Sequence, residues 1–156
     1  MTTNTKTILI VDDELVNLRM LERLLSSRYS VLTATNGLAA LEILKRDDVS
    51  VLISDQRMPG MTGIELLRES RNINPDLVCL LVTASTDNET SIEAINDAGA
   101  LRVIHKPWNA KIVLQFIHEA LAQRETLIEG KLASADMESA LSQLRLAAEE
   151  LNLFAE

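Results

Sequence analysis

Three carboxylates, a hydroxyl and an amine occupy corresponding places in this 156-residue chain. Asp12 and Asp13 follow the apolar run Thr7–Val11, Asp55 follows Ser50–Ser54, Thr83 follows Val78–Val82, and Lys106 follows Leu101–His105. In open α/β sheets, ligands bind beyond the carboxyl ends of the strands. If the runs are neighbouring parallel strands, their ends converge. Three carboxylates packed together repel one another and raise each other's pKa. A hard divalent cation removes that conflict, and oxygen ligands suit Mg²⁺, with Mn²⁺ as an alternative. A carboxylate held beside such a cation can act as a nucleophile on a phosphoryl group. Lys106 and the Thr83 hydroxyl are the right chemical types to meet the equatorial oxygens of that group. Each residue also has a plainer explanation. An Asp-Asp pair before a helix is an N-cap and its neighbour. A lone Asp after a strand forms a turn, Thr83 could cap the next helix, and Lys106 could lie in solvent. The joint order of all five, each at a strand end, favours phosphoryl chemistry.

The elements that must position them are legible as alternation. Between the strand runs, which include Ser30–Ala34, helical patterns occupy about 15–27, 37–47, 63–73, 88–99 and 109–123. Leu18, Leu21 and Leu25 recur at helical spacing, as do Val113, Phe116, Ile117, Ala120 and Leu121. Strand-helix alternation repeated five times predicts an α/β fold with a parallel sheet. The first, third and fourth runs are almost wholly apolar, as expected of strands covered on both faces. Gly37 and Gly63 read as helix openings and Gly99 as a helix end.

Composition narrows the function classes. Apolar residues make up 47% of the chain, enough for a core. The net charge of −8 argues against a nucleic-acid surface in this chain. No basic segment followed by an apolar stretch opens the sequence, so no signal peptide is read. The longest apolar run, Leu77 to Val82, is too short to span a bilayer. Cys79 is the only cysteine and sits inside that run, which fits a small core residue and a reducing, cytoplasmic setting.

After about Arg124 the pattern changes, so residues 1–124 and 125–156 are read as a domain and an acidic helical extension. The extension carries seven acids against two bases and no proline. Met137, Leu141, Leu144, Ala148 and Leu151 alternate spacings of four and three, a short heptad seam. In the same phase lie Ser134 and Gly130, so the seam does not run unbroken from the fifth helix, and a kink or frayed point is expected at Gly130. The seam fits a parallel pair of helices in a homodimer, a signalling linker to a downstream output domain, or a helix folded back on its own domain; a floppy tail is the remaining reading.

The residues now resemble the receiver family of response regulators. The matching segments are Ile8-Leu-Ile-Val-Asp-Asp-Glu14, Val51-Leu-Ile-Ser-Asp-Gln-Arg-Met-Pro-Gly-Met-Thr-Gly63, Leu81-Val-Thr-Ala84 and Lys106-Pro107-Trp108. They come in family order and spacing over residues 6–124. The resemblance implies a flavodoxin-like sheet of order 2-1-3-4-5 with five flanking helices. It implies that Asp55 is the phosphoacceptor and that Asp13 and Asp55 bind Mg²⁺ directly. Asp12 would act largely through a metal-bound water, and the backbone carbonyl of Arg57 would complete the set. It implies that Thr83 and Ala84 bind the phosphoryl group, Thr83 as the switch hydroxyl, and that Lys106 pairs with that group after a cis Lys-Pro bond. Met58-Pro59-Gly60 would form the tight turn beside the acceptor, and Trp108 an apolar lid on the fifth helix. The implied partners are a sensor histidine kinase or a phosphotransfer protein. The implied chemistry is Mg²⁺-dependent self-phosphorylation and autodephosphorylation, with no other enzyme activity.

Two features depart from the commonest family pattern. Val103 stands where receivers often have Tyr or Phe, which removes the usual aromatic rotamer switch and shifts attention to the loop after Thr83 and the fourth helix. Arg57 and Ser85 occupy positions that tune phosphoryl lifetime, Arg57 either by shielding or binding the phosphoryl group or not at all, from solvent. Three other functions compete. A Mg²⁺-dependent aspartyl-nucleophile phosphohydrolase would show Asp-x-Asp on its nucleophile strand, whereas the pair here is adjacent. A phosphorylation-independent interaction module would not need the complete set of five residues. A flavodoxin-like cofactor binder would need a phosphate-cradling loop after the first strand, and aromatics are scarce at 3%.

Overall fold

A computed structural model describes residues 5–84 and 88–154. The elements run β1 (Thr7–Val11), α1 (Leu15–Leu25), β2 (Ser30–Ala34), α2 (Gly37–Arg46), β3 (Val51–Asp55), α3 (Gly63–Ile73), β4 (Val78–Thr83), α4 (Asn88–Asn96), β5 (Arg102–His105) and α5 (Ala110–Phe154). The strands form one parallel sheet of order β2-β1-β3-β4-β5. The order reverses between β1 and β3, and this puts the ends of those two strands side by side at the switch point. Ile8 stands level with Val51 and Val11 with Ser54, so Asp12 and Asp55 leave the sheet at the same height.

The apolar runs are buried because both faces of the sheet are covered. Leu9, Val11, Leu52, Cys79 and Leu81 join one core with Ala40 and Leu44 of α2, Ile64, Leu66 and Leu67 of α3, and Ala94 of α4. The alternate residues Ile8, Ile10, Val51, Ile53, Leu80 and Val82 join Leu18, Leu21 and Leu25 of α1 and Val113, Ile117 and Ala120 of α5. Every residue of β3 and β4 is buried, as the absence of polar alternation in those runs predicts. Asn36 and Thr62 cap α2 and α3, each accepting a hydrogen bond from a backbone N–H three residues on.

Several boundaries differ from the sequence reading. Asp55 is the last residue of β3 and Thr83 the last of β4, so both chemical groups belong to the strands rather than following them. Helix α4 stops at Asn96 instead of 99, because Gly99 takes φ +73° and turns the chain toward β5. The fifth helix does not end near 123, and no frayed point interrupts it at Gly130: the helical assignment runs from Ala110 to Phe154. A single exposed glycine costs a helix only about 1 kcal/mol relative to alanine. The flanking residues, free of proline and rich in Ala, Leu and Glu, outweigh that cost.

By compactness the chain divides into residues 1–124 and residues 125–156. The described part of the second unit is helical, and its residues 131–152 are exposed. No helix among the described residues is long and apolar enough to cross a membrane.

Candidate functional site

The carboxyl ends of β1 and β3 bring Asp12, Asp13 and Asp55 together, with one oxygen of each within 4.8 Å of the others. Asp12 and Asp55 are buried, while Asp13 is exposed. Asp12 Oδ1 accepts a hydrogen bond from Glu14 N–H at 2.9 Å, which fixes the entry to α1. Asp12 N–H donates to the carbonyl of Ala34 at the end of β2 at 3.2 Å. The plainer reading of Asp12 as a local cap is therefore also fulfilled, and its second oxygen remains turned toward the cluster.

Lys106 reaches the same place from the end of β5. Its Nζ lies 3.0 Å from Asp55 Oδ1 and 3.8 Å from Asp12 Oδ2. Its N–H donates to the Thr83 carbonyl at 2.9 Å, and the Lys106–Pro107 peptide bond is cis. Burial raises the Asp12 pKa from its ordinary value. The neighbouring Asp55 charge adds to that rise, while the hydrogen bond from Glu14 and the charge of Lys106 oppose it. For Lys106, burial works against the charged form. The hydrogen bond to Asp55 and the charges of Asp55, Asp12 and Glu14 outweigh it and raise the lysine pKa.

Thr83 is buried at the tip of β4, level with His105, and Ala84 is exposed just beyond it. Ser85 lies outside the described residues. Arg57 is exposed two residues past Asp55, while Met58 is buried beside it. Gly60 takes φ +83° in the turn of residues 58–60, a conformation that favours glycine. Trp108 and Val103 are both partly buried. Trp108 packs against the α1–α5 core and Val103 against the opposite one, level with Leu81.

Three residues matter here that the sequence did not single out for this role. Ser54 is buried and donates its hydroxyl to the Asp55 carbonyl at 2.9 Å. Gln56 ties the acceptor loop to α3 twice: its carbonyl accepts from Gly63 N–H at 3.0 Å and its Oε1 from Ile64 N–H at 2.9 Å. Gly63 is more than a helix opening. A Cβ there would collide with the Asp55 carbonyl and come within 2.6 Å of Leu81 Cδ1. The glycine lets α3 start directly against the end of β3. The only sequence signal was a glycine eight residues after the aspartate, and that signal is weak by itself.

Comparison with known proteins decides the family. The profile described as "Response regulator receiver domain" matches residues 8–118. The chain belongs to the receiver family. Among curated relatives, the receiver is 36% identical over 132 residues to "Hydrogenase transcriptional regulatory protein HoxA" of Cupriavidus necator, a match covering 85% of this chain and 27% of that protein. The chain thus spans about a quarter of the length of this relative. Among solved structures, it resembles "signal receiver domain OF HD domain-containing protein" from Pseudomonas fluorescens, with a TM-score of 0.76, 30% identity, and coverage of 79% and 99% of the two chains. It also resembles a chain described as adenylate cyclase from Rhodopirellula baltica, with a TM-score of 0.78, 34% identity, and coverage of 81% and 95%. The receiver fold anticipated from the sequence is therefore established, sheet order included.

Proposed function

We propose that this receiver accepts a phosphoryl group on Asp55. The observation that carries the reading is the placement of Asp55 Oδ1 against Lys106 Nζ within a cluster of three carboxylates. The hard oxygen donors of Asp12, Asp13 and Asp55, with the backbone carbonyl of Arg57, fit Mg²⁺ or Mn²⁺. When bound, the cation neutralises the crowded carboxylates and the incoming phosphoryl oxygens.

The chain's own residues have distinct tasks. Asp55 supplies the attacking oxygen, and a new O–P bond forms as the bond to the donor's leaving group breaks. Lys106, kept cationic by its acidic neighbours, stabilises charge on the equatorial oxygens. The Thr83 hydroxyl and the Ala84 backbone N–H take further oxygens, and the movement of Thr83 is the switch. Val103 is short and β-branched and sweeps little volume on rotation. The conformational signal then passes through the segment after Thr83 and α4. Arg57 and Ser85 tune the lifetime of the phosphoryl group.

The donor is a sensor histidine kinase or a phosphotransfer protein, and phosphorylation controls an output domain or partner. The related proteins are described as transcriptional regulators, an HD domain-containing protein and an adenylate cyclase, so the output is not tied to one chemistry. Residues 125–154 pair two copies of the chain through the apolar seam.

Incubation with acetyl phosphate and Mg²⁺ should add one phosphoryl group by intact mass. Asp55→Asn should abolish the addition, and EDTA should suppress it. Undiminished phosphorylation of the Asp55→Asn protein would overturn the assignment.

A further inference from the structure

We infer that two copies pair antiparallel along residues 134–151 of α5, with Ser134 against the partner's Leu151, Met137 against the partner's Ala148 and Leu141 against the partner's Leu144. The inference rests on pairing through this helix and adds its direction and register. Met137, Leu141, Leu144 and Leu151 are 67%, 52%, 67% and 71% exposed, so an apolar seam several turns long stands uncovered in the single chain. Leu132 and Leu146 lie off the seam. The positions between them at the same 4–3 spacing are Ala135, Ser139 and Ser142, so that side is the poorer contact surface.

Size complementarity favours the antiparallel direction. In a parallel pair each seam residue meets its own copy. Ser134 would face Ser134 and Ala148 would face Ala148, leaving holes, while Met137 and the leucines would crowd against themselves. In the antiparallel register each small residue meets a large one, and the two leucines nearest the centre meet each other. Interdigitation of large with small is what close packing requires.

Charge points the same way, independently of size. One flank of the seam is Ala133, Ala140 and Ala147, spaced by seven, and the other is Lys131, Glu138, Arg145 and Asn152. A parallel pair sets one flank against the other, so Glu138 and Arg145 each face an alanine. An antiparallel pair sets each flank against itself. Glu138 then meets the partner's Arg145, the symmetry repeats the pair, and the alanine flanks allow close approach. In such a pair, residues 151–154 of the two copies lie at opposite ends of the paired segment.

The full-length Ser134→Cys/Leu151→Cys protein, treated with a short thiol-thiol crosslinker and mapped by peptide mass, tests the direction. The two sites are roughly 25 Å apart along one helix, too far to bridge within a chain. Cys79 is buried and does not compete. Crosslinks joining 134 to 151 between copies are the expected result. Crosslinks of 134 to 134 and 151 to 151 would overturn the direction while leaving pairing intact. A monomer by light scattering at tens of micromolar, without crosslinks, would overturn pairing itself. A charge exchange supplies a second reading. Glu138→Arg or Arg145→Glu alone should weaken self-association roughly tenfold, and the double exchange should restore it. Failure of the double exchange to restore association would count against the register.

Discussion

Helix α5 carries two stretches with the same kind of apolar periodicity and opposite fates. In its first turns Val113, Ile117 and Ala120 are fully buried against the sheet. Further along, Met137, Leu141, Leu144 and Leu151 are exposed. The pattern of a helix says which side seeks cover, and only the surrounding chain says whether cover exists. The receiver buries Val113, Ile117 and Ala120 of α5, with Leu18, Leu21 and Leu25 of α1, against its sheet and gathers carboxylates at the strand ends. The extension leaves its stripe uncovered in the single chain.

The largest test of that contrast is a pair of truncations on the one helix. Ile117→Ala should cost the receiver about 2–5 kcal/mol, read as a lowered urea midpoint. Leu144→Ala should change the same midpoint by less than about 0.5 kcal/mol, with its effect appearing in self-association. Equal destabilisation by both would break the comparison. Next comes Gly63→Ala. Overpacking between the Asp55 carbonyl and Leu81 should cost about 1–3 kcal/mol and slow acetyl-phosphate labelling. A variant as stable and as reactive as the parent would show that α3 does not need the close approach.

The smallest effect concerns charge in the cleft, measured in EDTA. The folded-state pKa of Asp12 is raised, so its contribution to stability is present at low pH and is lost as pH rises through that pKa. Lys106 also has a raised pKa, and its contribution persists until alkaline solution. As pH rises from acid toward neutral, the Asp12 contribution should fall while that of Lys106 stays. Asp12→Asn should stabilise the receiver at pH 7 and do little at pH 4. Equal effects at both values would show that the buried charge is not what strains the cleft.

Much of this arrangement was legible in the sequence. The strand runs declared themselves through unbroken apolar stretches, and Asp12, Asp13, Asp55 and Lys106 meet as their positions at strand ends implied. What stayed hidden depends on contacts between backbones or on weak opposing terms. Gly63 looks like any helix-opening glycine until the Asp55 carbonyl is seen in the space its Cβ would fill. Gln56 carries no periodic or chemical signal, and its two hydrogen bonds exist only once α3 lies against β3. Gly130 suggested a frayed point because glycine weakens helices, and the local helix formers carry the helix through it. The end of α4 was overestimated because the turn at Gly99 depends on backbone geometry that periodicity does not encode.

The bonds from Gly63 and Ile64 back to Gln56 close residues 57–62 into a ring fastened at its base. A fastened ring tolerates changes of side chain at exposed positions but not of length. Arg57, exposed on that ring, can be exchanged for residues of other size or charge on the same frame. A single inserted or deleted residue would have to be absorbed by Asp55 or by the first turn of α3. The segment is thus free to diversify in chemistry and closed to growth.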